Sequence, residues 1–155
     1  NFNSVYYCLP PLRAEADRLA LIAGVNNGVI DAITSAHRPH EAAAKQAPFA
    51  EAEPGMSNIE FLLPLAQKLA IREEMKLEVF IDAMTRGPAG VLRLTSPSLN
   101  VGEDADVCIF DPSSERILKS ENVFSHGKNT PLLGRNLTGA VIATILMGRV
   151  THQKA

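Results

Sequence analysis

The stretch from Asn27 to His40 constrains this chain more than any other. Asn27-Gly28 is a turn signal, and Val29 to Ile33 is a short apolar run. The chain then opens into Thr34-Ser35-Ala36-His37-Arg38-Pro39-His40, a polar segment holding two of its 4 histidines. A strand that runs straight into a polar loop is how barrel folds present chemistry at their carboxyl ends. Upstream, a helical pattern over 14–25 puts Leu19, Ile22 and Val25 on one side and Glu15, Asp17 and Arg18 on the other. Helix, tight turn, strand and polar loop make one repeat of an α/β architecture. No acid follows Asp31 until Glu41, so the loop carries bases without a nearby carboxylate.

The segment 34–56 reads as a long loop with one helical turn near Glu41 to Lys45, the kind of loop that serves as a lid or binding element. Ser57-Asn58-Ile59-Glu60 has the form of a capping box. The helix behind it carries Ile59, Leu62, Leu63, Ala66 and Leu69, with Pro64 as an expected kink. Leu77, Phe80, Ile81 and Met84 mark a further helix, which Arg86-Gly87-Pro88 should stop. Beyond residue 95 the pattern turns to β. Strands are expected at Asp106 to Phe110, Ala140 to Met147 and Val150 to His152, with turns at Asp111-Pro112-Ser113-Ser114 and Gly148-Arg149. The expected division is therefore 1–94 as α/β and 95–155 as a small β-rich domain.

With a net charge of −2 among 155 residues, the chain lacks the basic footprint of a nucleic-acid or membrane-surface binder. Its apolar runs fall far short of the roughly 20 residues that span a bilayer. No basic region followed by an apolar run opens it, so no signal peptide is expected. Cys8 and Cys108 sit in apolar contexts and read as reduced thiols of a cytoplasmic protein, with a disulfide left open as the alternative.

Several blocks together resemble the dihydroorotases, which are cyclic amidohydrolases. They are Pro10-Pro11-Leu12-Arg13, Asp31-Ala32-Ile33 through His37-Arg38-Pro39-His40, Ala47 through Pro54-Gly55, Gly102 through Asp106, and Gly127-Lys128-Asn129-Thr130-Pro131 through Arg135. The resemblance covers almost the whole chain. It implies the C-terminal portion of a zinc-dependent (β/α)₈ TIM-type barrel, its last strands and helices, followed by a small mostly-β domain. It also implies that the family's His-x-His metal ligands and its later Lys and His ligands precede Asn1, so no metal ligand and no bound zinc is expected in this chain.

Where the family's motif reads Asp-His-x-Pro-His, this chain has Ala36 in the aspartate's place. The resemblance gives that aspartate the role of general acid/base towards a metal-bound water, a proton transfer that a methyl group cannot perform. Leu9 also stands where active members often have an asparagine. The resemblance further implies that His40 contacts the substrate carboxylate, that the Pro54-Gly55 turn covers the substrate, and that Arg13 faces its anionic side. The bland alternatives are a His40 bonded to neighbouring backbone and an Arg13 paired with Asp17. His37, Lys128, Asn129 and Arg135 read as structural.

Two functions remain in play, and whether the protein is an enzyme stays open. One is an inactive dihydroorotase homologue of pyrimidine biosynthesis, a homo-oligomer that is a structural partner of aspartate transcarbamoylase. The other is an active zinc-dependent dihydroorotase or related cyclic amidohydrolase. A third reading, a folded remnant with neither activity nor partner, rests on no particular residue.

Overall fold

Helix α1 spans Glu15–Asn26 and ends in a Schellman motif. Gly28 N–H bonds Val25 O at 3.1 Å and Val29 N–H bonds Gly24 O at 2.8 Å, with Gly28 left-handed at φ 68°. The expected turn at Asn27-Gly28 therefore stops the helix and redirects the chain. The computed structural model describes residues 2–95 and 98–154.

Further along lie α2 (Leu62–Ile71), α3 (Leu77–Met84), α4 (Arg86–Val91), β1 (Val107–Ile117), β2 (Asn136–Leu146) and β3 (Arg149–Gln153). The strands form one sheet in the order β1-β2-β3. None of the described helices is long and apolar enough to cross a membrane.

The chain divides into two compact units that interleave in sequence. The second comprises Ala20–Ile33, Leu63–Glu115 and Thr138–Ala155. Its core is Val25, Ala66, Met75, Phe80 and Ala83, with Ile22, Ile30, Ile33 and Leu69 packed against it. Most of these lie on the apolar stripes of α1, α2 and α3, as the helical spacing requires, while Ile30, Ile33 and Met75 come from segments outside the helices. Val29–Ile33 departs from expectation. Ile33 N–H reaches Ala83 O at 2.8 Å, but the segment belongs to no sheet. A parallel strand needs neighbours to exchange main-chain bonds with, and among the described residues no strand pairs with it.

Four local expectations differ from the structure. Pro64 lies in the first turn of α2, where its missing N–H leaves no bond unmade. Arg86-Gly87-Pro88 opens α4 rather than merely ending α3; the break falls at Thr85, with φ −125° and ψ −80°. Asp111-Pro112-Ser113-Ser114 lies inside β1 and is not a turn between strands. The β2–β3 hairpin pairs Leu146 with Arg149. Its two-residue loop is Met147-Gly148, one residue earlier than expected, with φ 48° and 75°, the sign pattern of a type I′ turn. Asp106 Oδ1 accepts Met147 N–H at 2.7 Å and braces that turn.

The first unit comprises Asn1–Leu19, Thr34–Leu62 and Arg116–Leu137. It is mostly irregular, and its buried residues include Ala52, Met56, Phe61, Leu118 and Val123, with the polar Ser57, Asn129 and Thr130 among them. In a core with so little regular structure the main chain must find its partners in side chains and in isolated main-chain bonds.

Candidate functional site

The polar segment after Ile33 runs within the first unit. Ala36 takes φ 45°, a left-handed conformation that L-residues other than Asn and Asp rarely adopt. Its side chain is exposed. His37 forms an isolated parallel bridge with Met56, and Arg38 N–H donates to Met56 O at 2.8 Å. The His37 imidazole turns towards the 3₁₀ turn Ile59–Phe61 that precedes α2. Its Nδ1 accepts the N–H groups of Asn58 at 3.1 Å and Ile59 at 3.2 Å. A ring nitrogen that accepts must be unprotonated, so the neutral ring carries its proton on Nε2.

That arrangement displaces the expected capping box. The Glu60 carboxylate does not return to the turn it opens. Its two oxygens accept Phe124 N–H at 2.9 Å and Ser125 N–H at 2.8 Å, which ties the start of α2 to a loop more than 60 residues on.

Of the four residues with an expected binding role, three are brought together. His40 Nε2 lies 3.1 Å from Pro54 O, so the imidazole donates there to the turn that continues into Gly55. Gly55 has φ 139°, and a Cβ at that position would lie 2.7 Å from the Arg38 Cβ, so only glycine lets the turn come this close. Arg13 makes its ion pair outside this cluster. It pairs with Asp17 at 3.7 Å on the surface of the first turn of α1.

Asn129 is the organiser of the cluster. It is 7% exposed. Its Oδ1 accepts His40 N–H at 2.7 Å, while Nδ2 donates to Arg38 O at 3.2 Å and Gly55 O at 3.1 Å. Its own carbonyl accepts Ser57 N–H at 3.0 Å. One amide thus joins both arms of the site. Its neighbour Gly127 packs on the His40 main chain, where a Cβ would fall 2.6 Å from the nitrogen.

Lys45 carries no motif that marks it in the sequence. Its ammonium donates to Ser4 O and Tyr7 O, both at 3.2 Å, and to Glu53 O. Burial lowers its pKa, and nearby Cys8 and Glu53 oppose that shift. Cys8 and Cys108 are both free thiols.

Zinc requires three or four side-chain ligands around one point. Among the described residues no three His, Cys, Asp or Glu side chains could hold a metal. His37 Nδ1 is engaged with two main-chain N–H groups and His40 Nε2 with a carbonyl. The described residues therefore do not fit a zinc site by themselves.

Comparison with known proteins agrees with this fold and these motifs. The amidohydrolase family model matches residues 3–151, and the chain belongs to that family, whose members are in general metal-dependent. Within it, the chain is 46% identical over 152 residues to a dihydroorotase-like protein of Pseudomonas aeruginosa, covering 98% of this chain and 36% of that protein. It is 38% identical to a dihydroorotase of Geotalea daltonii, covering 94% of this chain and 34% of the relative. Among solved structures, the L-hydantoinase (dihydropyrimidinase) from Arthrobacter aurescens superposes with a TM-score of 0.88 at 26% identity, over 99% of this chain and 36% of that one. The chain spans about a third of the length of these relatives. Its fold is part of the amidohydrolase TIM-barrel architecture together with a small antiparallel sheet.

Proposed function

We propose that this chain belongs to a dihydroorotase-like protein that does not hydrolyse dihydroorotate and instead serves as a structural partner of aspartate transcarbamoylase in pyrimidine biosynthesis, in the cytoplasm and as a homo-oligomer. Ala36 carries the reading. It stands where the resemblance places the general acid/base, and its exposed methyl group can neither take a proton from water nor deliver one to a leaving ring nitrogen. Loss of such a group costs about 10²–10⁴ in rate. Leu9 and the nearby relative described only as dihydroorotase-like support the same reading.

The deciding experiment is dihydroorotate hydrolysis by the full-length protein and by its Ala36→Asp variant, with and without zinc. It is paired with co-purification against the transcarbamoylase of the same organism. No turnover by the natural protein together with a stable complex supports the reading. Turnover at the rate of an ordinary dihydroorotase overturns it.

A second reading, an active zinc-dependent cyclic amidohydrolase, has one observation in its favour. His40, Pro54 and Gly55 remain assembled around Asn129. This reading requires a proton carrier other than residue 36, and turnover that Ala36→Asp leaves unchanged is its signature.

A further inference from the structure

We propose that Lys45 is a charge-dependent latch that holds the Pro54–Gly55 turn in place beside His40. The proposal rests on the reading of His40, Pro54 and Gly55 as the ligand-facing part of the site, but not on whether that site turns substrate over.

A lysine ammonium has three N–H donors and no acceptor. Here three main-chain carbonyls take all three. Ser4 O and Tyr7 O belong to the strap around the 3₁₀ turn Ser4–Tyr6, and Glu53 O belongs to the residue just before Pro54. The strap answers in kind. The Ser4 hydroxyl donates to Lys45 O, and Tyr7 O accepts Gly55 N–H at 2.9 Å. The Phe49 ring packs on Tyr7, with centroids 4.9 Å apart, and on Phe2 at 5.6 Å. The strap is therefore tied to the 45–55 segment by the Phe49 ring contacts, by the Gly55–Tyr7 main-chain bond and by a single cation. The cation acts one residue away from the carbonyl that His40 grips.

The cation is the replaceable part of this arrangement. Its aliphatic stem and the Phe49 contacts persist when the charge is removed, whereas the three carbonyls lose their shared donor. Burial works against the charge while nearby Cys8 and Glu53 favour it, and the latch itself is the set of three hydrogen bonds. An arginine keeps the charge and several donors; a methionine keeps only the shape.

The test is residue-resolved amide hydrogen exchange on the full-length protein, comparing the natural form with Lys45→Met and Lys45→Arg. The latch predicts that Gly55 N–H exchanges at least about tenfold faster in Lys45→Met while Ser57 N–H, held by Asn129 O, changes less than about twofold. It also predicts that Lys45→Arg stays close to the natural form. Unchanged Gly55 exchange in Lys45→Met overturns the proposal. So does a joint rise at Gly55 and Ser57, which makes Lys45 a support of the whole unit, and so does an arginine variant that exchanges like methionine. Turnover is not read at any point, so this result and the fate of the proposed function are separable.

Discussion

Asn129 Oδ1 accepts the main-chain N–H of His40 at 2.7 Å, across 89 positions of sequence. The same amide serves two carbonyls, and the residue is buried, so truncation strands three polar groups at once. Asn129→Ala should lower the unfolding free energy by about 2–4 kcal/mol. Asn129→Asp keeps the acceptor but turns a carboxylate oxygen towards two carbonyls, and should be at least as damaging. Urea denaturation of the full-length protein measures both.

Glu60 supports two main-chain donors of the loop at Phe124 and Ser125. Bonds to a charged acceptor are the stronger kind. Glu60→Gln retains one acceptor oxygen and loses the charge, and should cost about 1 kcal/mol. A denaturant midpoint that does not move would show that the loop finds other partners.

Two glycines should respond to alanine with opposite signs. At Gly127 the new Cβ meets His40 main-chain atoms at 2.6 and 2.7 Å, and backbone cannot swing aside as a side chain does. Gly127→Ala should destabilise by about 1–3 kcal/mol. Gly90 lies in α4 with nothing within 4 Å of the added carbon. Gly90→Ala should stabilise by about 0.5–1 kcal/mol through helix propensity and reduced freedom of the unfolded chain. Thermal unfolding of the two variants side by side reads the difference.

Ala36 holds φ 45°, where Asp is better tolerated than Ala. Ala36→Asp should therefore leave thermal stability unchanged or raise it by about 1–2 °C. This matters for the activity assay, because an inactive Ala36→Asp protein that melts normally cannot be dismissed as misfolded.

Asp111 gives a pH signature. The Ser113 hydroxyl, then the Ser113 N–H, hold its carboxyl below its ordinary value of 3.8. A depressed folded value means that the ionised form is favoured on folding. Its contribution is fully present above the unfolded value and fades as pH falls through the folded one. Asp111→Asn should be slightly less stable than the natural protein at pH 6, and the gap should close on acidification below 3.8. Denaturant midpoints at the two pH values provide the check.

Much of the local structure is legible residue by residue. The apolar spacing of α1 and α3, the glycine stop at Gly28 and the hairpin around Gly148 all follow from periodicity and turn chemistry, because each is decided within a few neighbouring residues. The errors fall where a local signal competes with a distant partner. Ser57-Asn58-Ile59-Glu60 has the letters of a capping box, yet His37 Nδ1 takes the N–H groups there and Glu60 is drawn to Phe124 and Ser125. Val29–Ile33 has the composition of a strand, but a strand forms only beside another, and none of the described segments pairs with it.

By itself, then, the sequence determined the family, the helical segments and the replacement at Ala36, because these are properties of residue identity and short-range spacing. The tertiary structure alone decided that Asn129 assembles the His40 and Gly55 arms and that Lys45 bridges Ser4, Tyr7 and Glu53. The reason is physical. Buried main-chain groups in irregular segments must find partners, and which side chain supplies them depends on proximity in space.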